Sequence, residues 1–184
     1  MLEQTKTFKK RLSHYFKSYG GWGAIFRSPL FILAVAITAI SYKNWIEANW
    51  VDQSISLVPN LLGFSLGTYA ILFSLLTNRL KQALRAKKND SNISYLDEIN
   101  ATFFHFIFIQ VLALMWAFLF SGSALFDLVQ LLSVRIPLSL QAFEALYLIG
   151  SFVGHLLLIY SILLILAAAL AVYRLARIID PNEK

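Results

Sequence analysis

The run from Ala145 to Tyr173 reads ALYLIGSFVGHLLLIYSILLILAAALAVY and contains no Asp, Glu, Lys or Arg. A helix needs roughly 20 apolar residues to cross about 30 Å of hydrocarbon, so this run alone indicates a membrane-spanning helix. Three other uncharged runs precede it, at 28–42, 53–78 and 99–126. We therefore expect spans near 28–46, 57–78, 101–122 and 146–172. The first run is the shortest, and it is extended by Lys43, which can snorkel to the interface.

The overall composition is that of a membrane protein. Of 184 residues, 58% are hydrophobic and 14% charged, against about 45–50% and about 25% in soluble domains. The mean hydropathy is +0.65. Because a folded domain leaves much of its area exposed, lipid must form part of the solvent. We expect an all-α membrane protein, with a basic amphipathic interfacial helix at 1–23 and a four-transmembrane-helix bundle at 24–184.

The distribution of Lys and Arg predicts the orientation of the bundle. Fourteen of the sixteen lie in the N-terminal segment, in the loop after the second span or in the C-terminal tail, leaving Lys43 and Arg135 in the other loops. Loops rich in Lys and Arg stay in the cytoplasm. We therefore expect a bacterial inner-membrane protein with both termini in the cytoplasm. Trp45 and Trp50 are expected at the outer interface, where tryptophan is common.

The same distribution bears on partners. The net charge is +6, and the basic residues flank apolar runs as topology signals do. Direct nucleic-acid binding is therefore not expected. The basic residues on the cytoplasmic side are candidates for contacting the membrane surface or a soluble cytoplasmic partner. They are Lys9, Lys10, Arg11, Lys81, Arg85, Lys87 and Lys88.

The N-terminal segment has the pattern of an amphipathic helix. Large apolar residues recur at helical spacing among lysines: Phe8, Leu12, Tyr15, Phe16 and Tyr19. Such a helix is suited to lie on the anionic inner leaflet. The glycines at 20, 21 and 23 are expected to end it before the first span. Two interpretations stay open, a topology anchor and a helix that docks a partner.

Two local patterns predict helix boundaries. Ser94 followed by Asp97 resembles a capping box and predicts the start of the third spanning helix. Pro59 is expected in the first turn of the second, where proline is tolerated. After that helix we expect a two-turn continuation with Leu80 and Leu84 on one face.

No pattern in the chain points to catalysis. Motifs for nucleotide binding, serine hydrolysis and zinc proteolysis are missing from the sequence. Cysteine is absent, and the three histidines have no metal-ligand spacing. No Asp or Glu lies inside a predicted span, although proton-coupled transporters usually need one there. We expect a protein without enzymatic activity, cofactor or metal, and we disfavour a transporter.

Two pairs of glycines predict close helix packing. Gly63 and Gly67 lie four residues apart in the second span, as Gly150 and Gly154 do in the fourth. Glycine at this spacing lets two helix backbones approach closely in a membrane. The partner helix belongs either to the same chain or to another subunit.

A layer of polar residues is expected near the membrane midplane. At a rise of about 1.5 Å per residue, one polar residue from each span reaches this depth: Thr38, Thr68, Gln110 and His155. Polar groups in lipid need partners. Either they clamp the bundle through hydrogen bonds, or they line a pore in a symmetric assembly. His105 is expected to be an interfacial residue.

Three classes of function compete. The first is a homo-oligomeric membrane scaffold or sensor that recruits a cytoplasmic partner. The second is a pore-forming or channel-type effector, and the third is a small transporter.

The layout of four short-looped helices with a basic cytoplasmic face resembles the KwaA family, the membrane subunit of the bacterial Kiwa anti-phage system. That resemblance implies a homotetramer that senses phage attack at the membrane and docks a soluble DNA-binding partner, KwaB.

Overall fold

The computed structural model describes residues 2–89, 92–122 and 140–176, and the regular secondary structure there is helical. The helices in chain order are α1 (Leu2–Tyr19), α2 (Gly21–Phe26), α3 (Pro29–Ile40), α4 (Tyr42–Ile46), α5 (Trp50–Leu75), α6 (Asn78–Ala86), α7 (Tyr95–Ser121) and α8 (Leu140–Ala176). An isolated antiparallel bridge joins Lys88 to Ser94.

Three of these helices are long and apolar enough to cross a membrane. They are Trp50–Leu75, Tyr95–Ser121 and, within α8, Gln141–Tyr173. Their positions agree with the second, third and fourth predicted spans, so the described residues confirm the all-α fold class and three helices suited by length and composition to span a membrane. Each helix starts before its predicted span, because apolar periodicity does not mark where the backbone turns into a helix.

The predicted first span is divided between two helices. The 12 residues of α3 extend over only about 18 Å at 1.5 Å per residue. The helix ends at Ser41, whose hydroxyl and backbone N–H both bond to the carbonyl oxygen of Ile37. α4 then covers Tyr42–Ile46. Neither helix alone has the length of a span.

The helix α7 lies at the centre of the arrangement and packs against α1, α5, α6 and α8. It runs antiparallel to α5, since Ser65 meets Gln110 while Tyr69 meets Asn100. It also runs antiparallel to α8, while α3 and α4 lie along α8.

The two ends of this bundle differ. We call the end with α1, α6 and the start of α7 the basic end, and the end with Trp45 and Trp50 the tryptophan end.

Two apolar clusters fill the interior. The cluster nearer the basic end contains Phe103, Phe106, Tyr160 and Leu164 among its buried members. The cluster nearer the tryptophan end is built around Trp50 with small residues of α7, Ala113 and Ala117. The small alanines leave room for the indole ring between helices, so helix spacing follows from side-chain volume.

The helices α6 and α7 each have an N-terminal cap formed by a side-chain hydroxyl. Thr77 caps α6 by accepting a hydrogen bond from the backbone N–H of Leu80 at 3.2 Å. Ser94 caps α7, accepting from the N–H of Asp97 at 3.1 Å while its hydroxyl donates to the Asp97 carboxylate. The predicted start of this helix is confirmed. The expected continuation of α5 instead forms a separate helix, since the chain turns at Leu76 and Thr77.

Pro59 lies within α5 and not in its first turn, so that prediction was wrong. The helix begins nine residues earlier, at Trp50, whose side chain is completely buried. Proline removes one backbone donor, leaving a carbonyl oxygen one turn earlier without its usual partner. The side-chain amide of Asn60 donates to the neighbouring carbonyl oxygen of Ser56 at 3.1 Å. Tertiary burial of Trp50 outweighs the local preference of proline for a helix start.

Candidate functional site

The predicted basic residues lie on α1 and on or just after α6, two helices of the basic end. Lys9, Lys10 and Arg11 are exposed on α1. On and after α6, Arg85, Lys87 and Lys88 are exposed and Lys81 is half-buried. Since α1 and α6 both pack on α7, the two groups of cations are held on one scaffold. Nζ of Lys87 lies 5.2 Å from the ring centre of Tyr95, a cation–π distance.

The C-terminal turns of α1 attach it to the bundle. Tyr15 and Ser18 are buried there, whereas Phe8 near the start of α1 is 64% exposed. The Tyr15 ring meets the Phe104 ring edge-on, with centroids 4.7 Å apart. The ring of Tyr19 stacks on His105 at 4.1 Å. α1 is therefore held by aromatic contacts near its C-terminal end.

His105 is the centre of a buried hydrogen-bonded chain. Its Nδ1 lies 2.6 Å from the hydroxyl oxygen of Tyr15 on α1, and its Nε2 lies 3.0 Å from that of Tyr160 on α8. The imidazole has no exposed area. Burial raises the pKa of both Tyr15 and Tyr19. We call the group Tyr15, Tyr19, His105 and Tyr160 the tyrosine–histidine junction.

Sequence reasoning missed this junction, because His105 was expected at the interface. The two hydroxyl partners lie 90 and 55 residues away along the chain, and no local pattern encodes such pairs. One sequence signal was available: a histidine inside an apolar run is costly in lipid and needs partners.

The tryptophan end holds a second polar network. The indole N–H of Trp50 donates to the Ser151 hydroxyl at 2.7 Å, and that hydroxyl donates to the carbonyl oxygen of Trp45. The N–H of Trp116 donates to the carbonyl oxygen of Gly150 at 2.9 Å. Trp50 was expected at the membrane interface but is completely buried. It therefore joins α5 to α8, and α8 in turn holds the end of α4.

The two glycine pairs have different surroundings. A Cβ atom on Gly150 would lie 2.6 Å from Phe120, and one on Gly154 would overlap the ring of Trp50. Packing inside the chain therefore uses this pair. A Cβ atom on Gly63 or Gly67 would meet no atom within 4 Å, and both residues are exposed. The face of α5 that carries them is not covered by described residues of the same chain.

The four midplane residues are not equivalent in the fold. Thr38, Gln110 and His155 are buried inside the bundle, and Thr68 is half-buried at a surface groove. The side-chain N–H of Gln110 donates to the Ser65 hydroxyl at 3.0 Å. Three other polar atoms have no hydrogen-bond partner: Thr38 Oγ1, Gln110 Oε1 and His155 Nδ1. The side chains therefore face the interior of one chain, and Gln110 pairs with Ser65 in place of another midplane residue.

Thr68 lines an apolar groove between α5, α6 and α8. Its volume is about 350 Å³, and its lining includes Leu72, Leu76, Leu80 and Val172. Apart from Thr68, the lining offers only aliphatic side chains, so the groove has the chemistry of a hydrocarbon site. In the described ranges no three His, Asp or Glu side chains are grouped to hold a metal ion.

Comparisons with family models, curated proteins and solved structures give no match.

Proposed function

We propose that the chain is a non-enzymatic, homo-oligomeric subunit of the bacterial inner membrane that holds a soluble partner at its cytoplasmic face. The observation that carries this proposal is the basic end. Two separate helices, α1 and α6, pack on α7 and keep cations exposed. Ordered cations lose less side-chain and loop entropy on binding than cations on a free tail. Such a surface suits an acidic protein or the anionic headgroups beside it.

A fourth crossing of the membrane is part of the proposal. Phe31 at the start of α3 packs on Tyr160, whereas Trp45 in α4 packs on Phe152, nearer the tryptophan end. The chain thus moves along α8 between residues 31 and 45. α1 is at the basic end, and α5 begins at the tryptophan end. The N-terminal segment therefore reaches the opposite end through α2, α3 and α4 together, which compensates for the short α3.

The basic end is assigned to the cytoplasm by its charge. Eleven of the sixteen Lys and Arg lie at residues 6–27 or 79–88, the segments that this end contains. Because cytoplasmic loops carry the excess of Lys and Arg, both termini are placed in the cytoplasm, and no direct contact with nucleic acid is required.

Self-association is proposed through the open face of α5. Small or polar residues follow one another on this exposed face at spacings of three, four or seven: Ser56, Asn60, Gly63, Gly67 and Ser74. Polar groups facing lipid are unfavourable, and small residues favour close helix contact. A second copy of the chain supplies the missing partner. The KwaA resemblance, if it reflects kinship, makes the assembly a tetramer that senses phage attack and docks KwaB.

The test takes as the candidate partner a soluble protein co-transcribed with this chain, and the lack of any such gene would count against the proposal. Both are produced together, the membrane protein is purified in detergent, and the amount of bound partner is measured. Replacing Lys9, Lys10 and Arg11 by Gln should lower the bound amount roughly tenfold, as expected from losing charge pairs worth a few tenths of a kcal/mol to about 1 kcal/mol each. Lys43→Gln, at the opposite end, is the control. Equal recruitment by all variants contradicts a basic docking surface.

A channel is the second candidate, and the same face of α5 favours it. In a symmetric assembly, Ser56, Asn60 and Ser74 would line the axis, where polar side chains support a hydrated path. The midplane residues Gln110 and His155, buried within one chain, would not. Planar-bilayer recordings separate the candidates: a scaffold gives no conductance, and a channel gives currents that Asn60→Leu reduces.

A further inference from the structure

The tyrosine–histidine junction connects three elements through one side chain. α1 supplies Tyr15, α8 supplies Tyr160, and His105 on α7 stands between them. A neutral imidazole has one N–H donor and one nitrogen acceptor. One phenol therefore donates to the ring, and the other accepts from it. Loss of either hydroxyl leaves a buried ring nitrogen without a partner, which costs more than the bond itself contributed.

Tyr19 adds a second tie between α1 and α7. Its ring stacks on the imidazole of His105 at 4.1 Å, and that imidazole is itself bonded to Tyr160 on α8. The attachment of α1 thus depends on where α8 lies relative to α7. Any movement that separates Tyr160 from His105 weakens the site that holds the end of α1.

The first half of α1 lies on the surface. Residues 3–11 are exposed along their length. Next to the junction, Gly20 and Gly21 have φ angles of 102° and 72°, in the left-handed region that glycine adopts readily. A helix attached near one end and followed by two such glycines can rotate away without unfolding the bundle.

We propose that α1 is a latch whose docking is coupled, through His105, to the contact between α7 and α8. When these two spanning helices separate at Tyr160, the end of α1 leaves the bundle, and the cations at 9–11 move relative to those of α6. This inference rests on the proposed function, because the moving cations belong to the proposed docking surface. It deepens that function by naming the element that changes when the membrane part moves.

The chain has no cysteine, so a single introduced thiol reports docking directly. Ser18 is 5% exposed, and its hydroxyl has no hydrogen-bond partner, so Ser18→Cys removes no bond. The purified protein without any partner is reacted with a water-soluble maleimide in vesicles of phosphatidylcholine and phosphatidylglycerol. The rate measures the fraction of time that α1 is released. Exposed Ser13→Cys gives the rate for an open thiol.

In the Ser18→Cys background, we expect Tyr15→Phe and Tyr160→Phe each to raise the rate about 3- to 10-fold, the effect of one buried hydrogen bond. The double variant should react no more than about twice as fast as the faster single variant, because both act through His105. Tyr69→Phe is the matched control. It removes a half-buried phenol bond, to Asn100 on α7, and should leave the rate within about twofold of the parent, the limit expected for a residue that shares no hydrogen-bond partner with the junction.

Several results would overturn the proposal. An unchanged rate in Tyr160→Phe means that α1 docks independently of α8. If the labelling rate rises equally in Tyr69→Phe, His105 has no special role. The same holds if the rate increase in the double variant is the product of the two single increases. Ser161 is completely buried, so a cysteine at this position is labelled only when the bundle unfolds. Labelling of Ser161→Cys in the Tyr160→Phe background would mean that the substitution unfolds the bundle and does not release α1 alone. Because no partner is present, these outcomes are independent of recruitment.

Discussion

The contact between Gly154 and Trp50 shows how one hydrogen atom in place of a side chain sets the distance between two helices. Trp50 also bonds to Ser151, so the indole cannot easily turn aside. Gly154→Ala should therefore destabilise the purified protein by about 1–3 kcal/mol, the usual cost of overpacking. The measurement is unfolding in detergent, followed by circular dichroism.

Gly63→Ala is the matched control for this substitution. A Cβ atom there meets nothing, and alanine favours a helix by up to about 1 kcal/mol over glycine. The monomeric fold should be unchanged or slightly more stable. Comparable destabilisation by both variants would show that the two glycine pairs have equivalent surroundings, contrary to the structure.

The capping box was the local pattern that predicted a helix boundary correctly, whereas the pattern around Pro59 did not. Ser94 and Asp97 indicated the start of α7 because both partners of a capping box lie within one turn. The same sequence could not reveal that Gly154 faces Trp50 or that Tyr15 bonds to His105. Those pairs depend on which faces of separate helices meet, and several arrangements fit one pattern of apolar residues.

Among the helices, α5 presents two dissimilar sides. One side buries Trp50, Ser54, Val58 and Ser65, and the other exposes Gly63 and Gly67. Replacing both exposed glycines by Leu should prevent assembly while leaving the monomer folded, because bulky side chains block close backbone approach. Native mass spectrometry of the detergent-solubilised protein would show the loss of oligomer.

The glycine pair that packs inside the chain provides the comparison for this experiment. Gly150→Leu with Gly154→Leu should lower the yield of folded monomer, since Phe120 and Trp50 occupy that space. An oligomer of unchanged mass in the Gly63→Leu, Gly67→Leu variant would place the subunit interface elsewhere.

The helix α1 gives a test at the scale of a whole element. Deleting residues 2–19 removes five of the sixteen Lys and Arg but leaves the described α5, α7 and α8 intact. We expect the remaining spans to insert in the same orientation and recruitment of the soluble partner to fall. Protease protection of spheroplasts measures insertion, and co-purification measures recruitment. Failed insertion would return α1 to the simpler interpretation, an anchor that sets topology.

Across the whole molecule, the sequence predicted the presence of long apolar helices better than the positions of their ends. A spanning helix needs about 20 apolar residues, and a run of that length is easily recognised in the sequence. α5, α7 and α8 were therefore predicted. α3 is shorter, and the C-terminal turns of α1 pack at the level of His105, about 9 Å beyond Ile99 at a rise of 1.5 Å per residue. In the proposed four-span arrangement, α1, α2 and α3 share the depth that one span normally fills, and an apolar run in the sequence does not reveal such sharing.

This sharing makes the topology of the N-terminal segment the most informative test of the whole arrangement. Single cysteines at exposed Ser13, Asn49 and Ala86 change no charge and have no native thiol as background. Asn49→Cys should react with a membrane-impermeant maleimide in intact spheroplasts, whereas Ser13→Cys and Ala86→Cys should react only after lysis. The reason is that the segments at 6–27 and 79–88 carry most of the Lys and Arg. Labelling of Ser13 and Asn49 from the same side would mean that α3 does not complete a crossing, and the proposed four-span arrangement would be wrong.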